Sequence, residues 1–496
     1  VSIELNMSEK RGNIMAVLEN LEPKKVFHFF EELSAVPRET FDMQRISDHC
    51  VAFAKERGLE VIQDDCLNVI IRKPGTPGYE DCEPVILQGH MDMVGEKRPG
   101  SDHDFKKDGL KLYVEDGFIK AKDTTLGGDD GIAVAMAMAI LDSDDIPHPP
   151  IEALFTVDEE TGMGGANGID MSIFKGRKVV NIDSEVEGVL TCGCAGGIEY
   201  EAAIPVHREK KDGTKVTVRI HGLNGGHSGS EIHQQRGNAH KMMGRFLYRL
   251  SKEVPFTLVD IFGGAKHNVI AMECEASLMA SVEDAEKIAA KAQEMKEIWD
   301  HEFMGEEEGL KVDVDMKAGA SEDACDEDST GRVIGFLAGC PNGLQEYSRK
   351  LKGIVETSLN IGVVDTQADC IKMGHLIRSS VESRKVQLKE QLDLCAELAG
   401  GTGRIISQYP AWQFDPDSEL RKIMVESFRE VYGREPEVSV VHAGLECGIF
   451  LGKRPDLDCV SIGPDLPDIH SFNERMDIAS TQRTWEYLKT ILKNCK

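Results

Sequence analysis

The sequence predicts an α/β fold: a mixed sheet sandwiched by helices, interrupted by an inserted α+β domain. Three observations predict it. Short apolar or β-branched runs alternate with helical stretches up to about residue 190, the pattern of a sheet layered with helices. From about 197 to 400 the strands alternate polar with apolar, as in Lys215-Val216-Thr217-Val218-Arg219-Ile220, which marks a sheet with one wet face. After Gly400-Gly401-Thr402-Gly403 the first character returns. At 496 residues the chain exceeds one core. The expected division is 1–196 and 404–496 for the two parts of one domain, with 197–403 inserted.

In chain order, residues 25–58 read as helical, with Val26, Phe29, Phe30 and Leu33 at helix spacing. Residues 59–71 read as strand, and 74–84, between prolines, as a turn-rich connector. Residues 131–141 are Ala- and Met-rich, a helix suited to burial against a sheet. In the inserted part, 283–308 reads as a long charged helix and 321–330 as an acidic exposed loop. The segments 438–441, 460–462 and a last helix at 483–492 return to the first sheet.

Bulk properties exclude several function classes. Asp plus Glu total 86 against 57 Lys plus Arg, a net charge of −29. That is the wrong sign for a nucleic-acid phosphate backbone or an anionic membrane surface. No apolar stretch reaches bilayer-spanning length, and the start lacks the basic-then-apolar pattern of a secretory signal. The 13 cysteines are odd in number and scattered, so reduced thiols and the cytoplasm are expected. Cys192-Gly193-Cys194 reads as small residues at a tight turn. Gly162 to Gly168 lacks dinucleotide-loop spacing and follows Asp158-Glu159-Glu160, which would repel a pyrophosphate.

Four apolar runs end in candidate metal ligands. Val85-Ile86-Leu87-Gln88-Gly89 delivers His90 and Asp92; 151–157 delivers Glu159-Glu160; Val179-Val180-Asn181-Ile182 delivers Asp183; Cys459-Val460-Ser461-Ile462 leads to His470. In open sheets, ligands gather beyond the carboxyl ends of strands. Asp92, two residues past His90, is placed to fix the imidazole tautomer. Asp129, after Gly127-Gly128, opens a helix, where it either caps the helix or bridges two cations. Adjacent Glu159 and Glu160 in extended chain point oppositely, so one can face metal and the other substrate. Taken singly, each has a plain alternative: surface pair, cap, solvated acids, core histidine. Together, two His and several carboxylates suit two zinc or manganese ions. A His-Glu-x-x-His helix and a Gly-x-Ser-x-Gly elbow are both absent.

Longer segments add to this: 87–94, 124–131, Asn181-Ile182-Asp183-Ser184-Glu185, Cys194-Ala195-Gly196-Gly197, Gly225-Gly226-His227-Ser228-Gly229 and 442–448. With them the chain resembles, over nearly its whole length, the aminoacyl-histidine dipeptidases of the co-catalytic di-zinc metallopeptidases. The resemblance implies a zinc-peptidase catalytic domain with an inserted lid. It implies His90 and Asp183 on one ion, Glu160 and His470 on the other, and Asp129 bridging them with a cis peptide to Asp130. It implies Asp92 orienting His90 and Glu159 as general base. His227 would stabilise the oxyanion across a homodimer formed through the lid. Arg378 and Asn268 would grip the substrate, Arg378 through its free carboxylate, and Glu446 would meet its amino end. The ions are expected to be Zn2+, with Mn2+ or Co2+ as alternatives. The expected activity is hydrolysis of dipeptides, Xaa-His and β-alanyl-histidine among them. A deacylase, an aminotripeptidase or a non-catalytic metal-binding relative are the rivals. Small departures, such as Gly128 where many relatives carry Ala and His267 before Asn268, fall outside the ligands.

Overall fold

A computed structural model describes residues 17–496. They form two compact units. One runs through Cys192 and adds Asp415–Ser439 and Ile449–Lys496; the other comprises Gly193–Phe414 and Val440–Gly448.

The first unit is organised by an eight-stranded mixed sheet. Its order is Glu60–Gln63, Val69–Lys73, Ile151–Thr156, Val85–His90, Lys178–Asn181, Asp458–Ser461, Val189–Cys194, Glu437–Val441. The four runs that deliver the candidate ligands are the four adjacent parallel strands at its centre. Their carboxyl ends therefore open side by side on one edge. These strands are buried along nearly their whole length, which is why they read as continuous apolar runs rather than alternating ones. The helix Gly128–Leu141 is apolar all round and packs between the Val85–His90 strand and the helix Lys24–Ser34. Each Ile, Leu or Met it hides from water stabilises the unit by about 1.5–3 kcal/mol before entropy costs.

The stretch 25–58, read as helical, holds two helices, Lys24–Ser34 and Gln44–Glu56. Pro37 removes a backbone donor and disfavours helix at the residue before it. The intervening turn carries Arg38 and Thr40 inward, where both are buried. Residues 59–71, read as strand-like, fall in a hairpin, Glu60–Gln63 paired antiparallel to Val69–Lys73. Cys192 and Cys194 lie within the Val189–Cys194 strand, not in a turn. Glu159 and Glu160 are not extended: Asp158 takes a left-handed backbone conformation, and Glu159–Gly162 is one helical turn.

The second unit holds two antiparallel sheets. The four-stranded one is ordered Thr257–Phe262, Cys274–Ala280, Arg208–His221, Lys311–Cys325. The five-stranded one is ordered Gly343–Tyr347, Val355–Thr366, Cys370–Ser379, Gly196–Pro205, Thr402–Tyr409. Helices Ala239–Leu250, Val282–Phe303, Glu327–Gly339 and Glu382–Leu398 accompany them, around a core that includes Trp299, Phe246, Phe336 and Tyr200. The expected acidic loop at 321–330 is instead the end of one strand and the start of a helix. The strand's acids face a lysine-rich neighbour, with Glu322 opposite Lys211 and Asp323 opposite Lys210, a favourable cross-strand arrangement. Asp326 then caps the helix by accepting from the Ser329 N–H at 2.7 Å.

Candidate metal centre

The site assembles at the carboxyl ends of the four central strands. His90 closes its strand and is buried. Its Nδ1 lies 3.1 Å from the backbone carbonyl of Asp92 and 3.6 Å from the Asp92 carboxylate. Both neighbours are acceptors, so Nδ1 carries a proton and Nε2 points the other way. Asp92 is itself fixed, accepting from Thr40 Oγ1 at 2.9 Å and from the Glu159 N–H at 3.3 Å.

His90 Nε2 faces only carboxylate oxygens, Asp129 Oδ1 at 3.0 Å and Asp183 Oδ1 at 3.7 Å. His470 Nε2 faces the other oxygen of Asp129 at 3.1 Å and Glu160 Oε2 at 3.0 Å. One carboxylate is thus shared between two imidazoles, an oxygen to each. Asp130, joined to Asp129 by a cis peptide, enters as well. Its donor atom lies within 4.8 Å of those of His90 and Asp183, and His90, Asp129 and Glu160 form a second such group.

The electrostatics call for cations. Burial alone would lower the His90 pKa, but hydrogen bonds and charge from Asp129, Asp92 and Asp183 outweigh it and raise the pKa well above the usual value. Contacts with Asp129 and Glu160 push His470 up to about 10. Burial, reinforced by the charge of Asp130, holds Asp183 well above the usual carboxylate range. These upward shifts mean that the cluster of carboxylates holds extra protons to offset its negative charge, a role that divalent cations can take instead. Glu160 Oε1 is also buried with no hydrogen-bond partner. The donor set, imidazole nitrogens and carboxylate oxygens with no thiolate, fits zinc or manganese, and a shared carboxylate fits two ions.

Two residues that no sequence motif marks hold the Asp129 loop. Glu474 is 3% exposed. Its carboxylate accepts from four successive backbone N–H groups: Leu126 at 2.7 Å, Gly127 at 3.0 Å, Gly128 at 2.8 Å and Asp129 at 3.4 Å. Burial pushes its pKa up to about 7 against the pull of those donors. Arg38 grips the other side, donating to the carbonyls of Met91 at 3.1 Å and Gly127. Gly127 has φ +63°, and any Cβ there would strike the Arg38 guanidinium, so glycine is required. The available signals were an arginine beside a helix-breaking proline and an acid four residues after His470.

The other expected site residues lie in the second unit. His227 Nδ1 accepts from the N–H groups of Gly229 at 3.3 Å and Ser230 at 3.2 Å. Burial and then the charge of Arg378 lower its pKa. Arg378 is buried on the Cys370–Ser379 strand. Asn268 is partly buried, and its backbone carbonyl accepts from the Ser228 N–H at 2.9 Å. Glu446 is fully buried at the start of the helix Glu446–Lys453. His442, four residues before it, bonds Ser358 Oγ through Nε2 at 2.7 Å.

Comparison with known proteins agrees with this architecture. The model of peptidase family M20/M25/M40 matches residues 86–494. The chain is 36% identical over 481 residues to the cytosol non-specific dipeptidase of Escherichia coli K12, covering 97% of this chain and 99% of that one. The structure of aminoacylhistidine dipeptidase from Vibrio alginolyticus superposes with a TM-score of 0.90 at 36% identity, over 96% of this chain and 97% of the other. The aminopeptidase PepT of Bacillus cereus, at 19% identity and a TM-score of 0.56 over 95% and 98% of the chains, shares the fold. On the strength of the family match and the full-length similarity, this chain is a member of peptidase family M20/M25/M40.

Proposed function

We propose that the protein is a metal-dependent dipeptidase whose substrates include Xaa-His dipeptides such as β-alanyl-histidine. The observation that carries the reading is the Asp129 carboxylate, with one oxygen turned to His90 and the other to His470. The similar proteins support the substrate class: one is named a non-specific dipeptidase and the other an aminoacylhistidine dipeptidase.

His90 and Asp183 would hold one divalent ion, Glu160 and His470 the other, with Asp129 between them. Zinc is the expected metal, with manganese or cobalt as alternatives. Such a pair supplies Lewis acidity and lowers the pKa of water. Glu159, on the helical turn beside Glu160 and anchored through its N–H to Asp92, takes the proton from the attacking water and passes it to the leaving amine. His227 is suited to oxyanion stabilisation: with Nδ1 used as an acceptor, its proton sits on Nε2 and is available to donate. Arg378 receives the substrate's free carboxylate, Asn268 helps to hold the substrate, and Glu446 meets its amino end. The second unit, which takes in the expected insertion 197–403 and also residues 404–414 and 440–448 of the part expected as catalytic, acts as a lid and dimerisation domain, with His227 serving the partner copy in a homodimer. A cytoplasmic site fits the thirteen unbridged cysteines and the name of the E. coli relative. Among the described residues no helix is long and apolar enough to cross a membrane.

The test is a substrate panel on metal-reconstituted protein: β-alanyl-histidine, other dipeptides, a tripeptide and an N-acyl amino acid. Dipeptide turnover that a chelator abolishes and metal restores is expected. Faster turnover of the tripeptide or the acyl amino acid would replace this reading with an aminotripeptidase or deacylase.

A further inference from the structure

We infer that Tyr409 is a positioning residue that sets the Arg378 guanidinium to receive the free carboxylate of a dipeptide. The inference rests on the Arg378 reading above. Four antiparallel strands put Ser358, Arg378, Gly197 and Tyr409 in one transverse row, with Ser358 paired to Arg378, Arg378 to Gly197 and Gly197 to Tyr409. Residues paired in this way project to the same face of the sheet. Gly197 is the gap in the row. A Cβ built there would lie 2.6 Å from the Tyr409 hydroxyl oxygen and deeper still against its ring. The missing side chain lets the tyrosine ring lie over the Gly196–Pro205 strand and reach Arg378.

Arg378 is 5% exposed. Its Nη1 donates to the Tyr409 hydroxyl at 3.0 Å, and its Nε is buried without a partner. No carboxylate among the described residues forms an ion pair with it. A buried guanidinium without a counter-ion is costly, and its planar fork matches a carboxylate. By accepting from Nη1, Tyr409 fixes the guanidinium plane and directs the remaining N–H groups to an incoming anion. The tyrosine's own proton is left to donate to the same anion. At the far end of the row, Ser358 ties down His442. Burial and the charge of Arg378 push His442 down to about 3, so it stays neutral. The single positive charge in the row is therefore the arginine. The ligand class that follows is a peptide acid, preferred over its amide.

The test compares holoenzyme kinetics on β-alanyl-histidine and on its C-terminal amide for the wild type, Tyr409→Phe, Gly197→Ala and Arg378→Met. Tyr409→Phe is expected to raise KM for the acid about tenfold, with kcat and the amide KM within about twofold of wild type. Gly197→Ala, whose methyl displaces the ring, should do the same. Competitive inhibition by histidine against histidinamide gives the same comparison where amide turnover is slow. A wild-type acid KM in Tyr409→Phe, alongside lost acid–amide discrimination in Arg378→Met, overturns the inference and spares the Arg378 reading. Equal losses on acid and amide in Tyr409→Phe would show a general structural role and also overturn it. Retained discrimination in Arg378→Met sinks the Arg378 reading and the inference with it.

Discussion

The two histidines of the metal centre and three histidines buried in the second unit end in opposite states. In the first unit, buried His90 and the more open His470 sit among Asp129, Asp183 and Glu160, and their pKa values rise. In the second, His442 and His375 fall to about 3 and His240 to about 4. Burial disfavours charge in every case; the neighbours decide the outcome. The first unit collects carboxylates around two imidazoles, a cluster that can hold metal ions. The second holds the buried Arg378, whose Nε has no partner, beside the neutral His442.

The largest effect is expected at Asp129. Asp129→Ala is expected to bring activity to background and to lose bound metal, since both imidazoles face that one carboxylate. Elemental analysis that still finds two ions per chain would remove the bridge. Glu159→Ala should keep both ions and lose about 10^2- to 10^4-fold in kcat, the range for a missing general base. Near-normal turnover in that variant would reassign the base.

Glu474→Gln tests whether the loop clamp matters to the cation site. The neutral amide must present one N–H2 group to backbone donors, so the loop shifts. Metal affinity, followed by competition with a chelator, should fall about 10- to 100-fold; an unchanged affinity would make the clamp purely structural.

The smallest effect concerns the neutral histidines. His375 has a folded pKa of about 3 against an ordinary value near 6.5. Its stabilising contribution is therefore complete above pH 6.5. It is lost as pH falls from there toward 3, because only the unfolded chain takes up the proton. Between pH 7 and 5 that is about 2 kcal/mol. His375→Leu should make unfolding less pH-sensitive by that amount, measured as denaturant midpoints at the two pH values. An unchanged pH slope would show that His375 is protonated in the folded state.

Much of the first unit was legible because parallel strands buried on both faces leave unbroken apolar runs, and a ligand placed at each end then stands out. Pairing order was not legible; it took the structure to make those four strands neighbours. Charge misled twice. The acids at 321–330 read as solvated loop because composition cannot distinguish an acidic strand facing lysines from an exposed turn. Glu159 and Glu160 read as extended because a left-handed Asp158 leaves no mark in the apolar pattern. Glu474 and Arg38 stayed hidden for another reason. Their partners are backbone N–H and C=O groups, which every residue has, so no side-chain motif announces them. In the second unit the alternating strands showed the sheet, but the row through Gly197 depends on register, which a glycine alone does not declare.

The clamp on the Asp129 loop has a consequence for biosynthesis. Glu474 lies 345 residues beyond Asp129 in the chain, and His470 stands just before it. A growing polypeptide can hold the early ligands in place only after a further 345 residues have been translated. The ligands of this cluster are thus brought together by folding of the finished domain and not by local chain segments as they emerge.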